Sequence, residues 1–255
     1  MSGAVYMEIS PENAFQQSQR IVELAINNYP NRMKEKVFIP EKSVEALTKA
    51  LGGSLKPLVD VIASGKIRGC AAIVGCNNPH LRHDYSHVTL AKELIKRDIL
   101  CVETGCASIA CAKAGLMLPE SISQAGKGIQ EVCGSLGIPP VLHMGSCVDN
   151  TRVLNLVAEL ARAAGVRIDR LPVAGAAPEW YSPKAVAIAE YFVASGVSVV
   201  LGVMPRVGGS PKVTRLLTDG IEDLMNAKFW VEPDPKKAAA LIYDHIESKR
   251  KSLGM

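Results

Sequence analysis

The spacing of apolar positions changes along the chain. Over Pro11–Asn28 they recur every three or four residues, which predicts an amphipathic helix. A polar link through Pro30 and Pro40 follows, then a second helix over Ser43–Leu51 that Gly52-Gly53 terminates. Beyond it, short apolar runs alternate with helical stretches. Strands are predicted at Lys66–Gly75, Ile99–Glu103, Pro140–Met144, Arg170–Val173 and Ser198–Met204. Helices are predicted at Tyr85–Arg97, Ala107–Gly115, Ser123–Leu136, Asn150–Ala164, Pro183–Ser195, Pro211–Thr218 and Pro235–Lys251. This alternation predicts an α/β fold: a Rossmann-like, doubly wound, mostly parallel sheet with helices on both faces, preceded by a short helical segment. The expected division is 1–50 as helical lead-in and linker, and 51–255 as the α/β domain.

Composition narrows the function classes. With 29 Lys and Arg against 25 Asp and Glu, the net charge is only +4. No basic stripe carries interleaved aromatics, so nucleic acid is not expected as a partner. The longest apolar runs, such as Val197–Met204, fall far short of the ~20 residues of a membrane span. Met1–Ser10 contains Glu8 and lacks the apolar core of a secretory signal, so a cytoplasmic location is expected.

Seven cysteines in such a chain point to packing, metal binding or nucleophilic catalysis rather than a disulfide framework. Open parallel sheets bind ligands beyond the carboxyl ends of their strands. Cys76, Cys106 and Cys147 each follow a predicted strand there, with a glycine one or two residues upstream and a helix downstream. Glycine permits a tight turn beside a bulky ligand, and a helix amino terminus favours the thiolate that metals require. One such cysteine would be read as a small buried hydrophobe, but three on one edge suggest a shared metal or cluster site. Their separations of 30 and 41 residues match no compact zinc or ferredoxin motif, so the spacing does not name the metal. Cys70, Cys101, Cys111 and Cys133 fall inside predicted strands or helices and read as core.

Ser182-Pro183-Lys184 reads as N-cap, N1 and N2 of a helix, where a cation opposes the macrodipole. Lys184 is therefore either a solvated lysine or a functional one. His143, in the strand before Cys147, could reach the same edge as a proton partner, or pack as a satisfied core histidine. His83 and His87 flank Asp84 at a helix start and suggest solvated or capping roles. Gly202–Gly209 has neither a Walker ending nor GxGxxG, so no nucleotide site is expected.

Several phrases resemble the anaerobic nickel-containing carbon monoxide dehydrogenases. They include Val74-Gly75-Cys76-Asn77-Asn78-Pro79, Thr104-Gly105-Cys106-Ala107, His143-Met144-Gly145-Ser146-Cys147-Val148-Asp149-Asn150 and Ala177-Pro178-Glu179-Trp180, in family order from about residue 12 onward. The resemblance implies a Ni-Fe-S cluster of nickel plus 4Fe-4S type, with Cys76 and Cys106 on iron and Cys147 on the nickel side. It implies that Lys184 hydrogen-bonds the bound carboxylate intermediate and that Ile188 lies beside the CO pocket. The implied reaction is CO + H₂O ⇌ CO₂ + 2H⁺ + 2e⁻, with a ferredoxin-like electron acceptor and a homodimeric complete enzyme. The family's amino-terminal and middle parts, which carry further 4Fe-4S clusters and the remaining ligands, have no counterpart in these 255 residues. The resemblance therefore implies a truncated polypeptide or one half of a split enzyme, needing the missing domains or a partner subunit and inactive alone. The alternatives are a non-catalytic metal-binding or assembly module and a relative of the hybrid-cluster proteins.

Overall fold

The short apolar runs pair side by side into one six-stranded sheet. In the computed structural model, which describes residues 10–31 and 43–255, the strands are β1 (Gly69–Ile73), β2 (Ile99–Thr104), β3 (Val141–Gly145), β4 (Val173–Ala177), β5 (Val199–Leu201) and β6 (Phe229–Val231). Their order is β3-β2-β1-β4-β5-β6 and every pairing is parallel. The chain winds outward from β1 to β3, then crosses to the other side of β1. The direction of winding therefore reverses between β1 and β4, and such a reversal opens a crevice at the carboxyl ends of those strands. Every residue of β2 and β4 is buried, as expected for strands covered on both faces.

Helices supply that cover. On one face, Leu47 of α2 (Ser43–Ala50), Leu58 of α3 (Lys56–Ala63), Val153 and Leu160 of α7 (Asn150–Ala164) and Phe192 of α8 (Pro183–Ala194) meet β1, β2 and β4 along one apolar seam. On the other, α4 (Tyr85–Ile95) and α11 (Pro235–Ser252) pack against each other and onto β2 and β4. The helices α5 (Gly105–Lys113) and α6 (Lys127–Leu136) follow β2. The spacing of His87, Leu90, Ala91 and Leu94 puts all four on the buried side of α4. Each fully buried leucine there contributes about 2 kcal/mol.

Two compact units divide the chain, Met1–Val37 and Phe38–Met255. The first holds α1 (Ala14–Asn28), none of whose residues is buried; Phe15, Val22 and Ile26 are exposed. The second holds the sheet, and α2 belongs with it through Leu47. Pro40 and the first nine residues lie outside the described residues. No helix among the described residues is long and apolar enough to cross a membrane.

Several elements differ from the sequence-based expectation. The fourth strand is Val-Ala-Gly-Ala-Ala, not Arg170–Val173; Ile168–Arg170 forms a 3-10 turn before it. Alanine and glycine carry little strand propensity, and here smallness is used instead. A Cβ on Gly175 would sit 3.2 Å from Val199 Cγ2, so the bare backbone lets β5 pack close. The helix α3 and strand β6 form in addition to the elements that the apolar pattern predicts. The helix begun at Pro211 does not stop at Thr218 but continues from α9 (Pro211–Arg215) through a π-turn at Leu216–Gly220 into α10 (Ile221–Met225).

Candidate metal centre

Parallel strands deliver their carboxyl ends to one edge. Cys76 lies in the loop after β1, Cys106 in the first turn of α5 directly after β2, and Cys147 at the start of the 3-10 turn after β3, while the loop after β4 leads into Ser182-Pro183-Lys184 at the start of α8. These strands are consecutive neighbours, so the four positions line one rim at the winding reversal.

Glycines fix how each cysteine leaves its strand. Gly75, Gly105 and Gly145 have φ of 111°, 63° and 124°. A Cβ on Gly105 would lie 3.0 Å from Cys147 Sγ and 3.4 Å from the Gly75 carbonyl, so this glycine is where the three loops meet. At Gly145 a Cβ would come within 2.4 Å of Asp149 Oδ2, the atom that accepts the Ser146 amide at 2.8 Å and closes the turn holding Cys147. The Cys106 amide donates to the Gly75 carbonyl at 3.2 Å, joining the first loop to the second.

Cys76, Cys106 and Cys147 are all half-buried. Burial would raise the Cys76 thiol, but the Ser182 and Tyr181 amides, the Ser182 hydroxyl and the Lys184 charge together bring it below the ordinary thiol value. Ser182 is indeed the N-cap of α8, yet its hydroxyl does not cap the helix; it lies 3.9 Å from Cys76 Sγ. Cys76 therefore owes its thiolate character to the amino end of α8, across the winding reversal. The next helix in sequence, α4, begins nine residues further on. The other cysteines behave as core thiols. Burial pushes Cys70 and Cys133 up to about 12, and raises Cys101 and Cys111 strongly.

Lys184 stands on the rim beside Cys76 but is exposed in this chain rather than desolvated. Ile188 lies one turn along α8, half-buried against the core. His143 is half-buried in β3, and its Nδ1 is hydrogen-bonded to the Ser108 hydroxyl on α5, two residues beyond Cys106. Burial lowers its pKa, with Asp149 opposing the shift and Arg152 adding to it.

Two buried polar residues near the rim differ from what the sequence pattern predicts. His87 is fully buried rather than solvated, and its Nε2 donates to the Cys76 carbonyl at 2.8 Å. Its position on the apolar side of α4 was the available signal. Glu103 is also fully buried, and burial pushes its carboxyl far above the usual range, opposed only in part by the neighbouring Cys111 thiol. Nothing in the spacing of β2 distinguishes it.

Among the described residues, no three His, Cys, Asp or Glu side chains converge tightly enough to hold one metal ion. Three thiols just beyond the ends of three adjacent strands, one with its thiolate stabilised, are a donor set suited to a larger inorganic core in which different ligands grip different metal atoms.

Comparison with known proteins agrees with this architecture. The model of the Prismane/CO dehydrogenase family matches residues 1–236. Carbon monoxide dehydrogenase 1 of Methanosarcina mazei is 55% identical over 99% of this chain and 42% of its own length. Carbon monoxide dehydrogenase 1 of Carboxydothermus hydrogenoformans is 39% identical over all of this chain and 44% of its own. Among solved structures, a nickel-free carbon monoxide dehydrogenase from Thermococcus sp. AM4 superposes with a TM-score of 0.82 at 54% identity, over 99% of this chain and 41% of that one. The chain thus spans somewhat less than half the length of these relatives. It belongs to the Prismane/CO dehydrogenase family.

Proposed function

We propose that this chain contributes Cys76, Cys106, Cys147 and Lys184 to a nickel–iron–sulfur centre that interconverts CO and water with CO₂, two protons and two electrons. The observation that carries the reading is the delivery of those four residues to one rim by four adjacent parallel strands. The names of the relatives support it. One solved relative is described as nickel-free, and another, an acetyl-CoA synthase/carbon monoxide dehydrogenase, as carrying NiZn[Fe4S4] and NiNi[Fe4S4] clusters in its alpha subunits. The remaining cluster ligands, further 4Fe-4S clusters and a docking site for a ferredoxin-type acceptor would come from polypeptide outside these residues, in a homodimeric, cytoplasmic enzyme.

When bound, the centre would supply a nickel that takes CO, an iron that acidifies water, and an outlet for two electrons. The chain's own residues divide the rest. Cys76 and Cys106 would hold iron, and Cys147 the nickel side. The Lys184 ammonium would stabilise the negative charge developing on the substrate's oxygen, an effect that strengthens once neighbouring polypeptide excludes water from it. Ile188, one turn further along α8, would wall the gas pocket. His143, its ring fixed by Ser108 at Nδ1, would exchange a proton at Nε2.

The test is to load the chain anaerobically with iron, sulfide and nickel, together with a polypeptide carrying the missing ligands, and to assay CO-dependent viologen reduction. Turnover that requires both polypeptides is expected. Full metal loading without turnover would make the chain a binding or assembly module instead.

A further inference from the structure

We infer that His87 and Asn150 are positioning residues: each holds the backbone carbonyl of one rim cysteine, Cys76 and Cys147 respectively, and so aims that thiol. The inference rests on the reading of these cysteines as cluster ligands. The two latches share a plan, in which a buried side chain from the first turn of the next α-helix reaches back to the cysteine's carbonyl.

His87 is fully buried in α4, and its Nε2 lies 2.8 Å from the Cys76 carbonyl. A carbonyl only accepts, so Nε2 carries the hydrogen. Among the described residues the other ring nitrogen is buried without a hydrogen-bond partner, so the ring's hydrogen bond is the one to the Cys76 carbonyl, with Glu179 Oε2 3.9 Å from Nε2. Glu179, also fully buried, braces the same region. Its Oε1 accepts the Ser86 amide at 2.8 Å and its Oε2 accepts from Asn77 Nδ2 at 3.1 Å. Asn78 Nδ2 adds a bond to the Trp180 carbonyl at 3.1 Å. The Cys76 loop is thereby tied to α4 on one side and to the β4–α8 turn on the other. That turn supplies the amides that stabilise the Cys76 thiolate.

Asn150 opens α7 and is nearly fully buried. Its amide nitrogen donates to the Cys147 carbonyl at 2.9 Å, while its oxygen accepts from the buried Thr104 hydroxyl at 2.7 Å. Thr104 precedes Cys106 by two residues, so this latch ties the third cysteine loop to the root of the second. Burying an imidazole and an amide is costly unless they are hydrogen-bonded, and here both bonds go to the backbone of a rim cysteine. Cys106 lies within α5 and its amide already bonds Gly75.

The reduced, metal-free full chain provides the test, with iodoacetamide alkylation at about pH 7.5 followed cysteine by cysteine by mass spectrometry. In His87→Phe, Cys76 leaves the α8 amides and its rate falls about fivefold or more, while Cys147 keeps its rate. His87→Gln, which retains an N–H donor, restores Cys76. In Asn150→Asp the acceptor for Thr104 remains but the donor is lost. The turn over Cys147 opens and its rate rises about fivefold or more, with Cys76 unchanged. If all three thiols shift together, or the matched thiol does not shift, the inference is overturned. Should a variant fail to fold by circular dichroism, the imidazole ¹⁵N shifts of His87 in the unmodified chain decide. The Nε2–H tautomer is expected, and the Nδ1–H tautomer overturns the His87 latch. No metal is involved, so failure of the latches is distinguishable from failure of the cluster reading.

Discussion

At the amino ends of the strands the molecule is closed by charge and close packing, whereas at the carboxyl ends it is left open. Arg250, 2% exposed, donates through Nη1 to the carbonyls of Ile62 at 2.5 Å and Arg68 at 3.3 Å, pinning the end of α11 beneath the sheet. Arg68 in turn pairs with Glu247, its Nε lying 2.7 Å from Oε1. At Gly69, where β1 starts, a Cβ would lie 2.2 Å from the Pro172 carbonyl. The opposite rim carries positive-φ glycines, half-buried thiols and the exposed apolar side chains of Val148, Tyr181 and Met204. At one end a buried arginine is bonded to backbone carbonyls, while at the other the polar side chains that bond the backbone leave three thiols half-buried at the rim.

The largest contrast should appear in thiol reactivity. Burial pushes Cys70 up to about 12, whereas the amides at the start of α8 hold Cys76 below the ordinary thiol value, so at neutral pH Cys76 carries far more thiolate. Peptide-resolved alkylation should therefore label Cys76 well before Cys70 and Cys133, and simultaneous labelling would erase the distinction between rim and core. Lys184→Ala in the assembled enzyme should cut turnover by about 10²-fold or more without changing the unfolding midpoint. Arg250→Ala should do the reverse. It removes two buried charge-assisted bonds and should cost about 2 kcal/mol or more in denaturant unfolding, while Cys76 labelling is unchanged. The smallest effect concerns acid. Burial, with Lys249 and Lys228 nearby, lowers His245 from 6.5 to about 4, where its ring meets Trp230 edge-on at 5.1 Å. The unfolded state thus binds more protons between these values, so this contribution is full above 6.5 and is lost as pH falls through about 4. His245→Phe should flatten that part of the pH–stability curve.

Much of the scaffold was legible because it is built from ordinary signals. Asn150–Ala164 is a helix with the predicted bounds, and the β-branched runs at Ile99 and Val199 are strands. The glycine-then-cysteine pattern after three strands was legible for a physical reason, since parallel strands must end at one edge. What the sequence hid depended on tertiary context. β4 is a strand because neighbours flank it on both sides, not because Ala-Gly-Ala-Ala favours one. Ser182 looked like a plain N-cap until the fold brought Cys76 beside it. His87 shows its burial by spacing, but its bond to the Cys76 carbonyl crosses a loop that no periodicity describes.

If Cys76, Cys106 and Cys147 are ligands of one cluster, with Cys147 on its nickel side, the metals should respond unequally to loss of one thiol. Metal analysis of the assembled enzyme carrying Cys147→Ala decides the point. Nickel should be lost while most of the iron is retained. Retention of nickel, or equal loss of both metals, would contradict it.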